Sequence, residues 1–149
     1  MTQLRAVAVF VASIAILGGT LAPLTATAQQ PGGKEVVMLA NQMQFKEVAP
    51  GVSKTVLWGD ADSGPYGALT KFKAGTKNAL HTHANDLRIV VFKGAYVYEA
   101  DGKKTRIGPG SYMLVPGGKP HVSGAIKDTL FFEESSGKFD LTFVPQPGK

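Results

Sequence analysis

From residue 35 onward, no apolar stretch in this chain outlasts a short strand. Runs rich in Val, Ile, Phe, Tyr and Leu occupy 35–38, 54–58, 67–72, 87–92, 95–99, 105–107, 112–115, 129–133 and 139–144, and the segments between them carry Gly, Pro or Asp. β-Branched and aromatic side chains suit a pleated surface, whereas an amphipathic helix needs a longer uninterrupted period, and none is evident here. The spacing therefore predicts an all-β sandwich or barrel. Turn chemistry agrees: Lys93-Gly94, Asp101-Gly102 and Gly108-Pro109-Gly110 each sit between two such runs and predict tight reversals.

The 149 residues suffice for one domain with a real core. Residues 1–28 read as an export signal, with Arg5 ahead of an almost wholly apolar stretch at 6–17 and a small-x-small cleavage site at Ala26-Thr27-Ala28. Gly18, Gly19 and Pro23 argue against an uncleaved membrane anchor, so no stable membrane insertion is expected after cleavage. A periplasmic or secreted domain at 29–149 is predicted, with loose polar tails at 29–34 and 145–149. Loss of Arg5 leaves fifteen basic and eleven acidic side chains, a mild net charge of +4. The lysines are scattered, without the basic run or basic helix that tracks phosphates, so no nucleic-acid partner is expected. With no cysteine there is no disulfide and no thiolate chemistry, and any metal must be held by nitrogen and oxygen.

All three histidines fall in one two-part pattern, Gly75-x5-His81-x-His83 followed by Gly110-x5-Pro116-x-Gly118-x2-His121. Side chains two apart on a strand share a face, about 6 to 7 Å apart along the backbone, so His81 and His83 project together. His121 follows a second strand, and a cross-strand placement would add a third nitrogen from another direction. Neutral imidazole is the commonest metal-ligating side chain, and three of them leave positions open for water or substrate. Because every histidine is thus engaged, no Ser/His/Asp arrangement is available, and no glycine-rich phosphate loop is present.

These two halves resemble the paired motifs of the cupin superfamily, over roughly 67–143. Gly64-Pro65-Tyr66-Gly67, His81-Thr82-His83 with Asp86, Pro109-Gly110-Ser111-Tyr112, Pro116-Gly117-Gly118 and Gly137-Lys138-Phe139-Asp140 resemble a group of exported single-domain cupins akin to the ChrR type. The resemblance implies a double-stranded β-helix, the jelly-roll barrel, with one metal site inside, and a homodimer. The sequence departs from the motif twice. The usual glutamate ligand would fall at Leu87 or Arg88, and the asparagine after the last histidine at Ala125. Three ligand sets follow: the histidines with water, the histidines with Asp86 brought inward by a bulge, or the histidines with a remote carboxylate such as Glu99 or Glu133. An all-imidazole site suits Zn, Fe(II), Ni or Cu, while an Asp86 ligand would ease Mn as well as Fe.

Arg88, with Lys77 and Lys119 nearby, is a candidate contact for an anionic substrate, and Asn85 one for a metal-bound water. Trp58, Tyr66, Phe72, Phe92, Tyr112, Phe131 and Phe132 have the spacing of core aromatics, with Tyr112 carried also as a substrate contact. Two functions are open at this level: a metal-dependent enzyme, such as a dioxygenase, decarboxylase or isomerase, on a small carboxylate or oxygen-rich substrate, or a non-catalytic metal-dependent binder or sensor of a small ligand.

Overall fold

A computed structural model describes residues 33–145; the expected export signal at 1–28 and residues 146–149 of the expected tail lie outside the described residues. A single 3-10 turn, Ala40–Gln42, precedes nine strands among the described residues: β1 Lys46–Ala49, β2 Val52–Gly59, β3 Tyr66–Phe72, β4 Lys77–Thr82, β5 Leu87–Ala100, β6 Lys103–Ile107, β7 Tyr112–Val115, β8 His121–Ser135 and β9 Thr142–Phe143. The run at 35–38 is not a strand, correcting the sequence expectation: Val36 and Val37 are 75% and 71% exposed, with no neighbouring strand to complete a ladder. The run at 139–144 shortens to β9 because Phe139 and Asp140 turn to other partners, described below.

Every pairing is antiparallel, and β5 and β8 are long enough to serve two sheets. Residues 129–135 of β8 lie between β3 and residues 87–91 of β5, in a sheet ordered β1-β2-β3-β8-β5-β7. Residues 121–124 of β8 lie between β4 and residues 97–99 of β5, in a sheet ordered β9-β4-β8-β5-β6. The shared strands bend from one sheet to the other, which closes the two sheets into a jelly-roll barrel.

The bend corrects a second expectation, because Lys93-Gly94 is not a reversal. The β5–β8 ladder shifts register around Lys93 and Ala95, and Gly94 takes φ +92° in the middle of a continuous strand. This is a bulge that turns the strand through the barrel corner. A Cβ at Gly94 would strike the Asp128 carbonyl and Thr129, and L side chains rarely adopt this backbone conformation. Gly94→Ala is therefore expected to cost at least about 1–3 kcal/mol, read as a lower midpoint in urea unfolding. The other two reversals form as expected. Asp101-Gly102, both at positive φ, closes the two-residue β5–β6 hairpin. Gly108 to Ser111 makes a turn with Pro second and Gly110 at φ +80° third, the type II pattern. The same geometry recurs at Lys73 to Thr76 and at Pro116 to Lys119, which accounts for the glycines at 75 and 118.

Alternation along the strands fills the interior. Val52, Phe72, Leu87, Ile89, Val91, Tyr96, Ile107, Val115, Ala125 and Phe131 form one buried cluster. Inside it, Phe72, Tyr96 and Phe131 make an aromatic triangle with centroid separations of 5.7, 4.9 and 5.1 Å. Each large apolar side chain buried in this way contributes ~1.5–3 kcal/mol. Much of the remaining interior is polar. His81, His83, His121, Lys54, Thr70 and Glu133 are all buried, and all but His121 line a cavity of ≈ 240 Å³ alongside part of this cluster.

Candidate metal centre

His81 on β4 and His121 on β8 are direct cross-strand partners, so both rings project from one face into the barrel, 4.2 Å apart between centroids. His83 lies just beyond the end of β4, with its ring 5.0 Å from that of His81 and 5.3 Å from that of His121. The Pro116–Lys119 turn holds it there: Gly118 donates its N–H to the His83 carbonyl at 2.7 Å. The three residues are 1%, 7% and 0% exposed, and each offers a ring nitrogen, all within 4.8 Å of one another.

Backbone carbonyls set the tautomers. Nδ1 of His81 faces the Ala79 carbonyl at 2.6 Å, Nδ1 of His83 the Asp140 carbonyl at 2.5 Å, and Nδ1 of His121 the Lys119 carbonyl at 2.9 Å. A carbonyl oxygen only accepts, so each Nδ1 carries the hydrogen and each Nε2 keeps its lone pair. Nε2 of His121 is buried with no hydrogen-bond partner among the described residues. A buried polar atom left unpaired in this way costs about 1–3 kcal/mol, so the observation calls for something to fill it. Burial lowers the pKa of His81 and brings that of His121 down to about 4, keeping both neutral at physiological pH. Three neutral, oriented imidazoles fit a divalent transition metal, and the Nδ1–carbonyl bonds are the orienting contacts such ligands usually have.

The Asp140 loop completes the arrangement. Its carboxylate accepts the Ala84 N–H at 2.8 and 3.0 Å while its carbonyl holds His83. On the other side, Tyr98 stacks on His121 at 5.3 Å and 29°.

Asp86 does not join the cluster, correcting the bulge expectation. Its Oδ1 accepts the Gly117 N–H at 2.9 Å and its Oδ2 lies 3.8 Å from the Arg88 guanidinium, with the side chain 43% exposed. Asp86 lies in the bend between β4 and β5, where its carboxylate braces the Pro116–Lys119 turn from outside. The substrate contacts assigned from sequence also lie away from the cavity. Arg88 faces outward to Asp86, Tyr112 is 61% exposed on β7, and the Asn85 amide packs over Gly137. Of the remote carboxylates, Glu99 lines an outer groove with Lys77 and Lys104, whereas Glu133 faces the histidine cavity.

Sequence reasoning missed the partners of Glu133. Lys54, one of the scattered lysines, is buried with its ammonium on Glu133 Oε1 and 3.7 Å from the centre of the Phe139 ring. Tyr66, taken as core, is fully buried and donates its hydroxyl to the same oxygen at 3.0 Å. Burial and the Glu133 charge push the Tyr66 pKa well above its ordinary value, so it remains a donor. One signal was available: Lys54 shares strand parity with the inward Val52.

A closed antiparallel jelly-roll barrel with a buried three-imidazole cluster inside it defines the cupin class. The family model described as the ChrR Cupin-like domain matches residues 33–139, and the chain belongs to that family. Among solved structures it is similar to KdgF from Halomonas sp., with 24% identity and a TM-score of 0.62 over 72% of this chain and 97% of the other. It is also similar to an RmlC-like cupin from Shewanella frigidimarina, with 16% identity and a TM-score of 0.60 over 69% and 91%. A gentisate adduct of salicylate 1,2-dioxygenase from Pseudoaminobacter salicylatoxidans aligns at 24% identity and a TM-score of 0.54, over 60% of this chain but only 26% of that one. These likenesses establish the fold. No curated protein matches the sequence.

Proposed function

We propose that this protein is an exported, metal-dependent cupin enzyme that holds one divalent transition metal with His81, His83 and His121 and acts on a small carboxylate or otherwise oxygen-rich substrate. The observation that carries the reading is the convergence of three tautomer-locked imidazoles beside a cavity of ≈ 240 Å³. Nitrogen-only ligation favours Zn, Fe(II), Ni or Cu over Mn. When bound, the ion would act as a Lewis acid toward substrate oxygen, at coordination positions the three histidines leave open. The chain's own residues do the rest. The Nδ1–carbonyl bonds keep the rings in register, and Leu87, Phe131, Phe139 and Phe143 line a largely apolar approach that limits water. Export at 1–28 and pairing as a homodimer belong to the same reading and are supported by the signal-like N-terminus and the cupin resemblance.

Elemental analysis tests it. Mature protein purified from its native compartment without chelators is expected to carry about one transition-metal ion per chain, the share one three-histidine site can hold. A His81→Ala/His83→Ala variant should carry none. Equal, negligible metal in both would remove the reading.

A further inference from the structure

Opposite the histidines, the cavity wall holds three polar groups that metal binding does not use. Lys54 on β2 and Thr70 on β3 are ladder partners, and Glu133 on β8 reaches the same space. The Lys54 and Glu133 side chains are 7% and 5% exposed and form an ion pair. Such a pair is a poor device for stability, since desolvating two charges costs more than their attraction commonly returns and an apolar pair would pack as well. Lys54 is fully occupied: Glu133 neutralises it, and its ammonium lies over Phe139 at 3.7 Å and near Tyr66 at 5.1 Å from the ring centres. Phe139 in turn contacts the ring of His83 at 6.1 Å, so the ion pair stands one aromatic ring away from the histidine cluster.

The carboxylate is held from one side only. Lys54 and Tyr66 both reach Oε1, leaving Oε2 outside these two contacts. Nearby, Thr70 Oγ1 is buried and without a partner, an open donor on the same wall. A fixed carboxylate whose Oε2 lies outside those contacts, lining a small cavity together with His81 and His83, is the arrangement a proton acceptor needs.

We propose that Glu133, positioned by Lys54 and Tyr66, takes a proton from a carbon next to the carbonyl of a substrate in this cavity, and that the substrate class is a small 2-oxo acid or a similar enolisable carbonyl compound. The proposal deepens the metal reading above and rests on it, because the histidine trio is what would receive the substrate's oxygens. In the step, Oε2 of Glu133 accepts the proton. The C–H electron pair becomes the C=C bond of the enolate, and the carbonyl π pair moves to oxygen. Return of the proton to the same carbon, or to another atom of the enolate, regenerates the carboxylate. The net change is exchange or isomerisation, with no oxidant or reductant consumed. Thr70 Oγ1 is placed to donate to the substrate.

The probe is pyruvate in D2O with Zn(II)-loaded protein, its methyl protons followed by NMR. Wild type is expected to exchange them faster than the His81→Ala/His83→Ala variant given the same Zn(II). Glu133→Gln should lower the rate by about 100-fold or more while Zn(II) content stays at the wild-type level. A Lys54→Met/Glu133→Leu swap should also lose exchange, yet melt in the metal-free form no lower than wild type. Glu133→Gln protein that loads Zn(II) and exchanges as fast as wild type would overturn the proposal. So would Zn(II)-loaded wild type exchanging no faster than the histidine variant, or a swap that melts far below wild type while Glu133→Gln exchanges normally. Wild type that takes up no Zn(II) overturns the metal reading first, and the metal content alone identifies that case.

Discussion

Zn(II) supplied at about a thousandfold over its dissociation constant raises the stability of the folded domain by ~4 kcal/mol, and its melting temperature by on the order of 10 °C or more. Chelation reverses the shift, and His121→Ala does not show it. The cause is local: three Nε2 lone pairs are fixed in the folded barrel and scattered in the unfolded chain, so the ion binds one state far better. Affinity should fall by more than the 10–100-fold typical of losing an orienting contact, because a ligand itself is gone. The pH dependence has a definite sign. Burial depresses the pKa of His81 and sets that of His121 at about 4, below the unfolded value of 6.5. The unfolded chain therefore takes up protons first. Stability of the metal-free protein is fully present above pH 6.5 and declines as the pH falls toward 4. Protons compete with metal at these two residues only in the same acid range. Differential scanning calorimetry with and without Zn(II), at pH 7.5 and pH 5, reads all of this. Identical melts with and without metal at pH 7.5 would refute the first expectation, and greater metal-free stability at pH 5 the second.

Lys54→Met alone destabilises the domain by about 3–5 kcal/mol, because it strands the Glu133 charge inside the barrel. The Tyr66 hydroxyl cannot replace an ammonium. Urea unfolding of wild type and variant at pH 7.5 reads the loss. A variant as stable as wild type at pH 7.5 would mean that the Lys54–Glu133 pair is not formed in solution.

What was legible in the sequence followed local rules. Short runs of β-branched and aromatic residues punctuated by Gly, Pro and Asp announced most of the strands, Asp101-Gly102 and Gly108-Pro109-Gly110 announced their turns, and His81-x-His83 announced a shared face. Lys93-Gly94 misled because the same dipeptide serves a hairpin or a bulge. Only the continued pairing of β5 with β8 on both sides of it decides between them. Arg88, Asn85, Tyr112 and Asp86 were nominated by nearness to the motif along the chain, yet the folded chain turns Asp86 to Arg88 and leaves Tyr112 on the outer surface.

The sequence by itself determined an all-β chain and the three imidazoles able to serve one ion, because strand period, turn stereochemistry and ligand chemistry act within a few residues. Tertiary structure alone decided which carboxylate shares their cavity and which lysine is buried with it. Lys54, Tyr66 and Glu133 lie 67 and 79 residues apart across their two contacts, and they meet only because β2, β3 and β8 are neighbours in one sheet. Whether an inward parity holds a valine or a charge is settled by what the neighbouring strands offer, and no local rule contains that.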